Sequence, residues 1–310
     1  MAAEPALEIR SLTKRYASTV AVDDLSFVVP RGSVTGFLGP NGAGKTTTMR
    51  VLLGLAAPTL GETYVLGSPY VELERPLRRV GASLEVTGFH PGRTARNHLR
   101  VLAFQGGLDT ARVDPALEAT GMSGFASQRV GGFSSGMKQR LALSAALLGE
   151  PDVLVLDEPA NGLDPAGVAW LRAFLRSFAS AGGAALISSH ILAEVAEVAD
   201  RVVVIDGGRK LHEGPTGDLT AGSVVVVRSP EAPRLRTALE ADGATVTETD
   251  GALEVNGLAI ERVGELAAQD GLTLHELRTQ AITLEHAFLS LTEVRAEPTL
   301  PAVPPRVDEP

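Results

Sequence analysis

Eight consecutive residues, Gly39, Pro40, Asn41, Gly42, Ala43, Gly44, Lys45 and Thr46, fit the pattern G-x-x-x-x-G-K-[ST] at every fixed position, and Thr47 follows them. The apolar run Val34–Leu38 precedes them and a helical stretch, Thr46–Leu53, follows. Glycines let successive backbone N–H groups turn inward around phosphate oxygens, and the helix start adds positive potential. In such a loop Lys45 reaches the β- and γ-phosphates and the Thr46 hydroxyl ligates Mg²⁺. A second chemical signal closes the apolar run Val153–Leu156, which ends in Asp157-Glu158-Pro159. A carboxylate at the carboxyl end of a parallel strand faces the ligand edge of the sheet, so Asp157 is expected to hold Mg²⁺ directly or through water. Glu158, one residue on, is placed to polarise an attacking water as general base. Together the two signals predict a site for a nucleoside triphosphate with Mg²⁺.

Both signals need strands that end at one edge. Through about residue 220, short β-branched runs alternate with longer helical patterns, as in an α/β domain. The runs Val153–Leu156, Ala184–Ile187 and Val202–Ile205 are continuous rather than alternating, which predicts a parallel sheet covered on both faces. Between Thr94 and Leu148 no comparable strand stands out, and Ala95–Phe104, Val113–Ala119 and Lys138–Leu148 read as helices. A helical insertion, about residues 86–148, is therefore expected within a domain spanning 1–220. From Ser223 a second unit begins, with strands at Val224–Val227, Thr245–Thr249, Leu253–Val255 and Thr273–Leu277. Helices at Pro233–Ala241 and Ile260–Ala268 complete a β-α-β-β-α-β order, the ferredoxin-like arrangement, and Thr283–Leu291 reads as a closing helix. This accessory α+β module, 223–292, shows no ligand motif, and its role is open between a structural one, packing on the cassette, and a regulatory one. The proline-bearing stretch 293–310 reads as a disordered tail.

Composition bounds the rest. The 310 residues carry 37 acidic and 28 basic side chains, a net charge of −9 that opposes broad nucleic-acid binding. No cysteine is present, which removes disulfides, thiolate metal sites and cysteine nucleophiles. No apolar run approaches the length of a membrane helix, and the first ten residues lack a secretory h-region.

Further along the chain the motifs resemble those of the ATP-binding cassette family. Phe133-Ser134-Ser135-Gly136-Met137-Lys138-Gln139-Arg140 is similar to the family signature, Asn161-Gly162-Leu163-Asp164 to its D-loop, and Ser188-Ser189-His190 to its H-loop. Tyr16 stands where the family carries an aromatic that stacks on adenine. The resemblance implies a P-loop ATPase cassette, with a mainly parallel core sheet, an antiparallel N-terminal β-subdomain and a helical subdomain. It implies that Ser134 and Gly136 contact the γ-phosphate bound to an opposite protomer, that Ser135 and Asp164 also belong to the nucleotide site, and that His190 bonds the γ-phosphate and the attacking water. The sequence departs from the family where a glutamine usually ends a strand: Val80-Gly-Ala-Ser-Leu-Glu85 supplies Glu85, whose carboxylate still offers an oxygen to Mg²⁺ or water. Ser135 and Met137 replace the first glycine and the glutamine of the signature. Glu85 and the Ser-x-Gly-Met-Lys-Gln-Arg form resemble the bacterial drug and bacitracin-type exporter subgroup. That subgroup implies an ATPase at the cytoplasmic face of the cell membrane. Its partners would be a separate integral-membrane permease and a second cassette, either an identical copy or a related chain, with no nucleic acid. The competing expectation is a soluble cassette ATPase acting on ribosomes or DNA.

Overall fold

The computed structural model describes residues 4–84, 88–189, 192–220, 222–249, 251–284 and 287–288. The chain divides into two compact units, Met1–Ala221 and Gly222–Pro310.

Along the first unit run β1 (Leu7–Tyr16), β2 (Thr19–Val29), β3 (Val34–Leu38), α1 (Lys45–Leu52), β4 (Leu60–Val65) and β5 (Val80–Ser83). Then follow α2 (Ala95–Gln105), α3 (Val113–Ala119), α4 (Ser135–Leu147), β6 (Val153–Leu156) and α5 (Pro165–Ser180). The unit closes with β7 (Ala184–Ser189), α6 (Leu192–Ala196), β8 (Arg201–Asp206), β9 (Arg209–Pro215) and α7 (Thr216–Thr220). Its six-stranded sheet has the order β5-β6-β7-β3-β8-β9, parallel throughout except for the β8–β9 edge. The continuous apolar runs are explained by cover on both faces. Val153, Val155, Ala184 and Leu186 pack into one core, whereas Leu154, Leu156, Ala185 and Ile187 pack into another. A fully buried aliphatic side chain contributes about 1.5–3 kcal/mol, so these short strands are fixed by what covers them. The parallel register sets Ser83 opposite Leu156, Leu156 opposite Ile187, and Leu38 opposite Ser189. The carboxyl ends of β5, β6, β7 and β3 therefore meet at one edge.

The smaller antiparallel sheet, β2-β1-β4, is the N-terminal β-subdomain that the family resemblance implies. The expected helical insertion lies between β5 and β6, with its own core of Leu99, Val113, Leu117, Met122, Val130, Phe133 and Leu141. Thr94 caps α2 by accepting from the Asn97 amide at 3.2 Å. Helix α4 starts three residues before the expected Lys138, because Ser134 caps it and the signature residues form its first turn.

The second unit runs β10 (Ser223–Arg228), α8 (Ala232–Ala241), β11 (Thr245–Thr249), β12 (Ala252–Asn256), α9 (Ile260–Gln269) and β13 (Glu276–Ala281). Its antiparallel sheet has the order β11-β12-β10-β13, the ferredoxin-like arrangement. Leu235 and Leu239 of α8 and Val263 and Ala267 of α9 cover Val225, Val227, Leu253 and Val255. The last strand begins three residues later than expected. Leu272 is used in the core ahead of the strand, and Leu277 is the residue that pairs opposite Val227. The expected helix Thr283–Leu291 falls largely outside the described residues, and the 293–310 tail falls wholly outside them. Among the described residues no helix is long and apolar enough to cross a membrane.

Candidate functional site

The phosphate-loop residues connect the end of β3 to the start of α1, as their sequence context predicts. Gly44 is the N-cap of α1 at φ 104°, and a Cβ there would stand 2.4 Å from the Ala21 carbonyl oxygen. Only glycine fits such a backbone pressed against another strand. Gly42, also left-handed at φ 82°, has open space where a Cβ would go. The first turn of α1 carries no acidic residue, so its N–H groups keep their positive potential for an anion. Ala43 points into the core, whereas Asn41, Gly42, Gly44, Lys45, Thr46 and Thr47 line a cleft of about 240 Å³ with Ala21, Asp157 and Glu158.

Lys45 is buried, and its Nζ donates to the carbonyl oxygens of Gly39 at 2.6 Å and Pro40 at 3.1 Å. Burial pushes its ammonium pKa below the ordinary 10.5, against the opposing pull of the Glu158 and Asp157 carboxylates. Thr46 Oγ1 donates to Asp157 Oδ2 at 2.6 Å, joining the two halves of the expected metal site across 111 residues of chain. Asp157 is buried, and its amide donates to the Ser83 carbonyl at 2.8 Å. Its other oxygen, Oδ1, accepts from Ser188 Oγ. The Glu158 amide donates to that same Ser188 oxygen at 2.9 Å, and Glu158 sits at φ 50°. Two hard oxygen donors from different elements, Thr46 and Asp157, thus stand side by side next to the triphosphate loop, a donor set that suits Mg²⁺.

A second cleft, of about 280 Å³, gathers the signature and D-loop residues. Ser134, Gly136, Met137 and Arg140 line it with Gly121, Met122, Phe125, Gly162, Leu163 and Asp164. Ser134 Oγ accepts from the Met137 amide at 3.2 Å, which leaves its O–H proton for another acceptor. Ser135 packs on Gly162 instead of lining the cleft. Asp164 is the N-cap of α5, where its Oδ1 accepts from the Gly167 amide at 2.8 Å. The two clefts share no lining residue.

The remaining expected residues are placed differently. Tyr16, at the end of β1, is 47% exposed and has the Lys14 ammonium 4.7 Å from its ring centroid. It does not line the phosphate cleft, although Ala21 on the paired strand β2 does. Glu85 and His190 lie outside the described residues. Two residues take roles that the sequence does not assign: Ser188, whose hydroxyl joins the Asp157 carboxylate to the Glu158 amide, and Trp170, whose ring lies 4.7 Å below the Arg140 guanidinium carbon. A hydroxyl just beyond the apolar run Ala184–Ile187 was the available signal for the first. Nothing in the sequence marks the second.

Comparison with known proteins bears on this geometry. Residues 22–161 match the family described as ABC transporter, and residues 223–285 match one described as a domain of unknown function. The chain is 43% identical over 212 residues to the bacitracin transport ATP-binding protein BcrA of Bacillus licheniformis, covering 67% of this chain and 69% of that protein. It is 36% identical over 302 residues to the Nod factor export ATP-binding protein I of Cupriavidus pinatubonensis, covering 92% and 90%. A solved structure of an ATP-binding subunit of an ABC transporter matches with a TM-score of 0.62 at 31% identity, covering 69% of this chain and 91% of that one.

Proposed function

The chain belongs to the ABC transporter family as an ATP-hydrolysing cassette, and from that premise we propose that it drives export of a drug- or antibiotic-like compound through a permease on a separate polypeptide. The relative named for Nod factor export supports the direction of transport, and the one named for bacitracin transport supports an antibiotic-like cargo. The observation that carries the mechanism is the separation of two clefts. Lys45, Thr46, Asp157 and Glu158 line one, and Ser134, Gly136 and Asp164 line the other. One chain therefore presents two half-sites. A second cassette, identical or related, facing the first in reverse would close each nucleotide between a phosphate loop and a signature helix. That dimer would work at the cytoplasmic face of the membrane, held there by the permease.

Within the closed site, the α1 N-terminus and Lys45 would neutralise the β- and γ-phosphates. Lys45 would exchange its carbonyl partners, Gly39 and Pro40, for phosphate oxygens. Thr46 and Asp157, with Glu85, would hold Mg²⁺, which when bound supplies charge neutralisation on the same phosphates. Glu158 would accept a proton from the attacking water as its oxygen bonds to the γ-phosphorus and the bond to the β–γ bridging oxygen breaks. His190 would hold the γ-phosphate and that water, and Tyr16 would stack on the adenine. Release of phosphate removes the ligand common to both half-sites, so the cassettes separate and the permease changes state.

The test compares wild type with Glu158→Gln in ATP hydrolysis, in gel-filtration of the ATP-bound protein, and in transport with the native permease. The expected variant binds ATP, stays dimeric and neither hydrolyses nor transports. Unchanged hydrolysis would remove Glu158 as the base.

A further inference from the structure

Ser188 is the point at which strand β7 touches both acids. Its side chain is completely buried. The register that sets Leu156 opposite Ile187 brings Asp157 level with Ser188 on the neighbouring strand. From there the hydroxyl donates its proton to Asp157 Oδ1, while its oxygen accepts the Glu158 amide at 2.9 Å. The backbone amide is only a donor, which fixes the direction in which the serine hydrogen points.

Each contact constrains something hydrolysis needs. Asp157 is gripped at both oxygens, by Thr46 Oγ1 at 2.6 Å on one side and by Ser188 on the other. A carboxylate held at both ends cannot rotate about its Cβ–Cγ bond without losing a buried hydrogen bond. Glu158 occupies φ 50°, a left-handed conformation that costs a non-glycine residue about 1–3 kcal/mol. The hydrogen bond that its amide donates to Ser188 Oγ helps to hold that turn, and the turn directs Glu158 into the phosphate cleft.

We infer that Ser188 is a positioning residue for Mg²⁺-assisted ATP hydrolysis: its hydroxyl sets the rotation at which Asp157 meets the metal and pins the turn that presents Glu158. The inference rests on the ATPase reading of the same cleft. The competing explanation is that the hydroxyl merely satisfies two buried polar groups, in which case removing it lowers stability and leaves metal affinity unchanged.

Ser188→Thr and Ser188→Val separate the two, since threonine and valine share a shape and differ by the hydroxyl. The full-length chain is measured three ways: ATP binding in EDTA, Mn²⁺ affinity of the ATP complex by electron paramagnetic resonance, and kcat and KM for ATP. The expected Ser188→Val protein binds ATP without metal as wild type does. Its Mn²⁺ affinity and kcat fall about 10–100-fold, the usual effect of losing a group that orients a metal ligand. Ser188→Thr recovers most of both. Ser188→Val matching Ser188→Thr in Mn²⁺ affinity and kcat overturns the inference, because shape rather than hydroxyl then governs. Should Ser188→Val not fold in a thermal melt, Ser188→Ala is compared with wild type by the same measurements, and equal Mn²⁺ affinity again overturns it. A wild-type chain without Mg²⁺-dependent hydrolysis would instead remove the ATPase reading, so the two failures are distinct.

Discussion

Gly136 and Gly162 are packed so tightly that neither accommodates a side chain. A Cβ on Gly136 would stand 2.9 Å from the Gly162 carbonyl oxygen, and one on Gly162 would stand 2.8 Å from the Ser135 Cβ. Gly162 also has φ 76°. The signature helix and the loop after the acids are thus joined by direct backbone approach at the cleft they share. Gly162→Ala should therefore cost about 1–2 kcal/mol in backbone strain alone, and the contact with Ser135 adds to it. A lowered melting temperature, together with weaker ATP-dependent dimerisation in a Glu158→Gln background, is the expected result.

Lys45→Met should separate stability from binding. Burial lowers the Lys45 pKa despite the opposing carboxylates, so the folded state disfavours its charge relative to water. For a lysine with a lowered native pKa, that penalty is fully present below the native value and is relieved as pH rises through 10.5. At neutral pH the methionine variant sheds that penalty but also loses the hydrogen bonds to the Gly39 and Pro40 carbonyls, so its melting temperature without nucleotide should change little. Its ATP affinity should fall roughly 10–100-fold, the loss expected for a hydrogen bond to a charged group. Paired melting curves with and without ATP test both halves.

Trp170 supports Arg140 from beneath. The Arg140 guanidinium lies over the indole and donates to the Thr120 carbonyl at 3.5 Å, while the same side chain lines the signature cleft. Trp170→Leu keeps an apolar residue and removes the ring face, so it should cost about 0.5–2 kcal/mol. In a double-mutant cycle read by urea unfolding, Arg140→Leu and Trp170→Leu should be less than additive.

His98 should make the first unit sensitive to acid. It is buried in α2, its Nδ1 has no hydrogen-bond partner among the described residues, and Phe89 packs on it at 5.0 Å. Burial, and secondarily the charge of Arg93, lowers its pKa below 6.5. The unfolded chain then takes up the proton first, so stability is full above 6.5 and falls with pH down to the native value. Urea midpoints measured across that range should fall less steeply in His98→Leu than in wild type.

Strand β6 coincides with its expected bounds because it is one apolar run buried on both faces, and β3 does so although Thr35 and Gly36 interrupt its apolar residues, because all five of its residues are buried. Strand β7 extends past its apolar run through Ser188 and Ser189, which are as buried as the residues before them. Hydropathy stops at Ile187 although the ladder continues. The offset of β13 shows the same limit, because a pairing register decided it, whereas the start of α4 turned on a local signal, the Ser134 cap, that apolar periodicity does not read. The phosphate loop and the two acids were legible because their chemistry is local in sequence. Ser188 and Trp170 act on residues from distant parts of the chain, and only the sheet register and the packing of α4 against α5 bring those partners together.

The left-handed backbone of Glu158 has a consequence for anyone choosing mutations by robustness alone. Replacement by glycine would relax the turn, so the change most damaging to turnover should leave the fold as stable as before or more so. A screen that scores only expression or heat resistance would rate this position expendable.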